Sequence, residues 1–192
     1  MKYCFYLLIS VGIITVISCK STTSKTVANA IDTLHFFNIK DFIFTEVKDV
    51  QTTPYFIYQI TTKANGNKDS AVFTKQAFDS FAQPFMACDI ANNGTKNEYK
   101  ESAFKDNSTQ SITLNYSTLN KELPIQNIDV LLSEETNKVT RIFIRQTQAN
   151  TDSLTTILYS WKANKSCMVT KSVIKKDGTK YTVQQFVNWN DN

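Results

Sequence analysis

The chain has 192 residues, 21 basic and 17 acidic side chains and a formal net charge of +4, a length that suits one domain with a real core. Its lysines are scattered, with Lys175-Lys176 the sole adjacent basic pair, so no stripe for a polyanion is drawn and no nucleic-acid partner is implied. One histidine and four glycines exclude multi-histidine metal sites and leave no G-x-G-x-x-G or phosphate-binding loop.

The first nineteen residues predict where the chain is sent. Lys2 precedes a run of apolar residues from Phe5 to Ile17, and Ser18 and Cys19 follow. A cationic start, a short apolar core and a small residue before the cut are the parts of a secretory signal. A membrane span needs about 20 apolar residues, and Lys20 closes this run before that. Val16-Ile17-Ser18-Cys19 resembles the lipobox of bacterial lipoproteins. That resemblance implies cleavage after Ser18 and diacylation of Cys19 on sulfur, with the new amino terminus acylated as well. Residues 1–18 are then a lipoprotein signal peptide, and the membrane is a partner through the lipid on Cys19. Lys20 in place of an aspartate implies the outer membrane in that family. The acid-free stretch 20–25 implies a periplasm-facing rather than surface-exposed position.

Residues 19–30 (CKSTTSKTVANA) are small and polar beyond the cysteine and read as a flexible tether. Residues 31–192 read as a single α+β domain. Asn38 predicts a helix cap, with Ile39, Phe42, Ile43, Val47 and Val50 at helical spacing over about 39–50 and Asp41 in the first turn. Residues 55–62 (YFIYQITT) have strand composition, Asn65-Gly66-Asn67 signals a turn, and a short strand at 70–73 completes a hairpin. Thr74 opens a second helix with Ala77, Phe78, Phe81, Ala82, Phe85 and Met86 on one stripe, and Pro84 predicts a stop or bend near Gln83. Residues 88–109 read as a long loop with one helical turn.

Six strand-like runs follow, at 111–119, 128–133, 139–148, 154–161, 167–175 and 181–189, the last five joined by short polar turns. Such strands pair antiparallel. The expected fold is α+β, a C-terminal antiparallel meander of five to six strands with two N-terminal helices packed on one face. Alternation is imperfect: Leu154, Leu158, Met168, Ile174 and Phe186 fall on the parity opposite to their apolar strand-mates. Either segment 31–62 covers the second face, which is the expectation, or that face is an apolar surface for a ligand or partner.

Cys88 and Cys167 remain after the leader and the lipid site are set aside. An oxidising compartment permits a disulfide between them, and two buried free thiols fit equally well. His35 lies among Leu34, Phe36 and Phe37 with no nucleophile signature near it and reads as structural; no G-x-S-x-G elbow is present after the leader. Glu134, Glu135, Asp152 and Asp177 lie in predicted turns and read as solvated. No cofactor and no metal are implied. Asp32-Thr33-Leu34, Asp69-Ser70-Ala71 and Asp152-Ser153-Leu154 resemble the Asp-Ser/Thr-apolar sites that some Gram-negative bacteria O-glycosylate, which makes Thr33, Ser70 and Ser153 candidate acceptors. Arg141, Phe143 and Arg145 alternate with Ile142 and Ile144 and form a candidate partner surface. The functional expectation is a non-catalytic, membrane-anchored envelope lipoprotein that binds a protein partner or a small apolar ligand. A carrier of lipid or acyl chains is the alternative, and an enzyme of unrecognised type is a more distant one.

Overall fold

A computed structural model of the chain describes residues 36–91 and 94–190. Two helices, a single 3-10 turn at Lys96–Glu98 and nine strands run in the order α1 (Ile39–Thr52), β1 (Tyr58–Thr62), β2 (Lys68–Val72), α2 (Lys75–Met86), β3 (Tyr99–Asp106), β4 (Ser111–Thr118), β5 (Ile125–Ser133), β6 (Val139–Ala149), β7 (Ser153–Lys162), β8 (Ser166–Lys175) and β9 (Lys180–Asn188). The strands form one open antiparallel sheet in the order β2-β1-β9-β8-β7-β6-β5-β4-β3. The class is α+β, and the sheet is larger than the five to six strands expected.

The three added strands have separate causes. β1 and β2 make the expected hairpin around Gly66, whose φ of +83° suits a residue without a Cβ. Their hairpin then joins the meander because β1 pairs with β9, Ile60 opposite Phe186. β3 falls inside the stretch expected to be a loop. Its sequence, Tyr-Lys-Glu-Ser-Ala-Phe-Lys-Asp, is half charged, as suits a strand at the margin of a sheet. Charge there hides the alternation by which strands are recognised.

α1 begins where its cap predicts: Asn38 Oδ1 accepts from the Asp41 N–H at 2.9 Å. A second acceptor comes from far along the chain, as the Ile39 N–H donates to Asp89 Oδ1 at 3.1 Å. A carboxylate at the positive end of a helix is stabilising, and this one ties α1 to the segment after α2. α2 starts at its Thr74 cap, where Oγ1 accepts from the Ala77 N–H at 3.1 Å. It does not stop at Gln83. Pro84 lies inside it, and the helix runs on to Met86, with the Ala87 N–H donating to Gln83 O at 3.0 Å. Proline removes a single bond, to Ser80 O, so close to the end that few others depend on it. The turn it would break carries Phe85, and burying that ring contributes on the order of 2–3 kcal/mol.

Both helices lie on one sheet face. Ile39, Ile43, Val47 and Val50 of α1 and Phe78, Ala82 and Phe85 of α2 join Ile128, Val130, Ile142, Ile144, Tyr159, Trp161, Cys167 and Val187 in one buried cluster. Aromatic edges fill its centre: Phe85 meets Tyr159 and Trp161 with centroids 5.1 Å apart, and Phe78 meets Trp189 at 5.1 Å. The loop between β7 and β8 is fastened to α1 by Glu46, which accepts from Trp161 Nε1 at 3.2 Å and from the Asn164 N–H at 2.6 Å. The expected cover of the second face by segment 31–62 is not found among the described residues. α1 packs beside α2 and β1 lies in the plane of the sheet, so Phe143, Leu154, Leu158 and Ile174 stay 37–42% exposed on the far side.

Candidate functional site

On the helix-covered face, α2 reaches only part of the way along β7, β8 and β9. Phe78 and Phe85 cover Trp161, Trp189 and Tyr159. Beyond Tyr159 the same face, Val169–Gln185 and Ile157–Lys171–Val183, is only partly covered. A half-enclosed groove of about 470 Å³ results, walled by Ser80, Phe81 and Pro84 of α2 and floored by Ile157, Val169, Val183 and Tyr181. Its surface is mostly apolar. Pro84 contributes to this, since it brings a ring and no N–H to the wall.

Five side chains with polar groups interrupt the apolar lining: Ser80, Tyr159, Lys171, Tyr181 and Gln185. Among the described residues Lys171 supplies the only formal charge of the lining, and no acid, histidine or cysteine lines it. Tyr159, at the buried end, donates its hydroxyl to Gln146 Oε1 at 3.1 Å. Burial pushes its acid dissociation up to about 12, so it stays a neutral donor. An apolar trough with one cation and a few hydrogen-bonding groups can hold an apolar body by burial and orient one polar end. It offers no nucleophile–base pair.

The opposite face carries the predicted surface residues. Arg141, Phe143 and Arg145 do share it, and the Arg141 guanidinium lies 5.4 Å from the centroid of the Phe143 ring. The register builds a continuous cross-sheet row, Asn115–Asp129–Phe143–Ser160–Met168–Phe186–Ile60. It is polar at β4 and β5 and apolar from Met168 to Ile60. Asp129 is engaged by Asn115 Nδ2 at 2.6 Å and Asn127 Nδ2 at 2.8 Å. Beside it a smaller hollow of about 250 Å³ is lined by Asn127, Asp129, Phe143, Arg145 and Leu158.

The remaining sequence candidates are dispersed. Cys88 and Cys167 are free thiols, both buried; the disulfide left open beside that reading is not formed. Cys88 Sγ donates to Pro84 O at 3.2 Å. Burial pushes the Cys88 thiol up to about 12 and Cys167 well above its ordinary value, which makes neither a nucleophile. Ser70 is exposed on β2, and Ser153, at the start of β7, donates its hydroxyl to Asn150 Oδ1 at 3.2 Å. Glu134 pairs with Lys105. Asp177 accepts from the Thr179 N–H at 2.8 Å, which holds its carboxyl below the usual range. No group of three or more metal-binding side chains occurs among the described residues. Nor is any helix among them long and apolar enough to cross a membrane. The lipobox with Cys19, and Thr33 and His35, lie outside the described residues.

Sequence reasoning missed the groove because its walls come from one helix and three strands. One signal was present. Lys171 interrupts the parity of β8 that Cys167, Val169 and Val173 share, and a charge within an apolar register marks a place where that face is open. No family model, no curated protein and no solved structure matches the chain.

Proposed function

We propose that this chain is a non-catalytic envelope lipoprotein, held by acyl chains on Cys19 at the outer membrane and facing the periplasm, whose domain binds a small apolar ligand with an anionic or polar end. The groove between α2 and β7–β9 is the observation that carries this reading. Its volume of about 470 Å³ suits a small ligand, since such sites span roughly 300–1,000 Å³. Lys171 would meet the anionic end, and Ile157, Val169, Val183 and Phe81 the apolar body. The lipobox residues support the anchor, because two or more acyl chains give stable attachment where one does not.

The test pairs a fluorescent fatty-acid analogue with two substitutions on exposed or half-exposed groove positions. Val183→Trp, which fills the trough, is expected to abolish binding, and Lys171→Glu to weaken it at least tenfold, with unfolding midpoints unchanged. Saturable binding that survives Val183→Trp places the ligand elsewhere. Metabolic labelling with a palmitate analogue checks the anchor: label is expected on the wild type and lost in Cys19→Ala.

A second reading, a protein partner on the opposite face, is favoured by the exposed Phe143 and Leu158 beside Arg141 and Arg145. Charge reversal at both arginines is expected to release such a partner from envelope pull-downs. The carrier alternative requires an enclosed space between helices and sheet. Phe78, Phe85, Trp161 and Trp189 fill that space with rings 5.1–6.0 Å apart, which favours a ligand held at the margin over cargo taken into the interior.

A further inference from the structure

The sheet is open, and its two margins differ. β2 is five residues long and carries its own Lys63–Asp69 ion pair at 2.6 Å beside the turn. β3 is eight residues long, pairs among the described residues with β4 on one side only, and has a charge order that is complementary to itself when reversed. We propose that β3 pairs antiparallel with β3 of a second copy of this chain, about a two-fold axis through Ala103, to give one continuous sheet across a symmetric dimer.

The register follows from parity and charge. Lys100, Ser102, Phe104 and Asp106 share the open face, as their β4 partners Ser117, Asn115, Thr113 and Ser111 show; Glu101, Ala103 and Lys105 point to the other side. A two-fold axis normal to the sheet keeps each face continuous, so a residue pairs only with one of its own face. With Ser102 on the axis, Lys100 meets Phe104 and Glu101 meets Ala103. With Phe104 on it, Lys105 meets Ala103. Glu101 or Lys105 on the axis would set like charges against each other. Ala103 alone puts Lys100 opposite Asp106 and Glu101 opposite Lys105, each pair formed twice. Opposite charges directly across a ladder stabilise and like charges repel, so the register is selected as well as permitted.

Two further observations point the same way. Among the described residues Glu101 Oε2 is buried without a hydrogen-bond partner, and in this register the second copy's Lys105 exchanges its own-chain partner Glu134 for it. Phe104 is 55% exposed on a strand of small and charged neighbours; about Ala103 the two Phe104 rings become diagonal neighbours, a spacing of roughly 7–8 Å that aromatic rings bridge. Charged side chains usually protect a sheet margin from pairing. Alternating in this order, they reject other strands and accept this one. At the strand's end Asp106 is held in place by Ser108, whose N–H and hydroxyl donate to Oδ1 at 2.8 and 2.6 Å.

A single pairing strand is a small interface, so self-association in the micromolar range is expected. The experiment uses the purified full chain in mild detergent on a Cys4→Ala, Cys19→Ala background, with Ala103→Cys as probe. Directly opposed residues of an antiparallel ladder have Cα atoms about 4.5–5.5 Å apart, within reach of a disulfide. Ala103→Cys is expected to form a covalent dimer under mild oxidation at least tenfold faster than Thr151→Cys, an exposed control in the β6–β7 turn. Adding Lys100→Glu should remove that advantage, and adding Asp106→Lys to it should restore the advantage, with far-UV circular dichroism unchanged throughout. Equal rates at positions 103 and 151, indifference to Lys100→Glu, or no rescue by the charge swap each overturn the proposal.

Discussion

At the level of single residues, Glu46 is the clearest case of an interaction whose value depends on pH. Burial raises its pKa above the ordinary glutamate value, and the hydrogen bonds from Asn164 and Trp161 offset only part of that. A carboxyl with a raised folded pKa favours the folded state fully below its unfolded value, about 4.3, and loses that contribution as pH rises through the folded value. Urea midpoints measured from pH 4 to 7 are expected to fall over the lower part of that range. Glu46→Gln should flatten the dependence, and a slope that survives the substitution assigns it to another group. Phe85 is the complementary case. It is 1% exposed and packs against three rings, so Phe85→Ala is expected to cost about 3–5 kcal/mol, against under about 1 kcal/mol for Phe104→Ala in the monomer. Chemical denaturation of the two variants separates them.

At the level of elements, what could be read in advance depended on whether the signal was local. Asn38 and Thr74 cap the helices they were expected to cap, because a cap is a contact between residues three apart. The meander was legible from β-branched runs and polar turns. Asp177-Gly178 closes β8 onto β9 with Gly178 at a φ of +85°, a conformation only glycine adopts without cost. Pro84 misled, because the rule that proline ends a helix carries no information about the burial of its neighbour. The missing N–H still has a cost, so Pro84→Ala is expected to raise stability, by less than the ~3 kcal/mol of a fully interior proline. A thermal melt reads the gain; a loss instead would mean the pyrrolidine ring packs better in the groove wall than the restored bond compensates. β3 and the groove were the least legible. One is masked by charge, and the other exists only where α2 stops short of rows contributed by three strands.

On the scale of the whole molecule, the first strand and the last are neighbours. β1 hydrogen-bonds to β9 across the register from Tyr58–Asn188 to Thr62–Gln184, so the strand that joins the hairpin to the meander is also the last in chain order. Removing β9 would strip β8 of a partner and detach the β1–β2 hairpin, and Val187 and Trp189 would leave the core with it. A chain stopped before Lys180 is therefore expected to show no cooperative thermal transition, whereas one missing only β2 keeps its transition at a lower midpoint. Synthesis runs in the opposite sense to this requirement. As the polypeptide leaves the ribosome, the first hairpin must wait, with a bare edge and unsheltered side chains, until more than a hundred further residues have been made. Chains released before Lys180 is made are thus expected to aggregate more readily than chains released after Asn188.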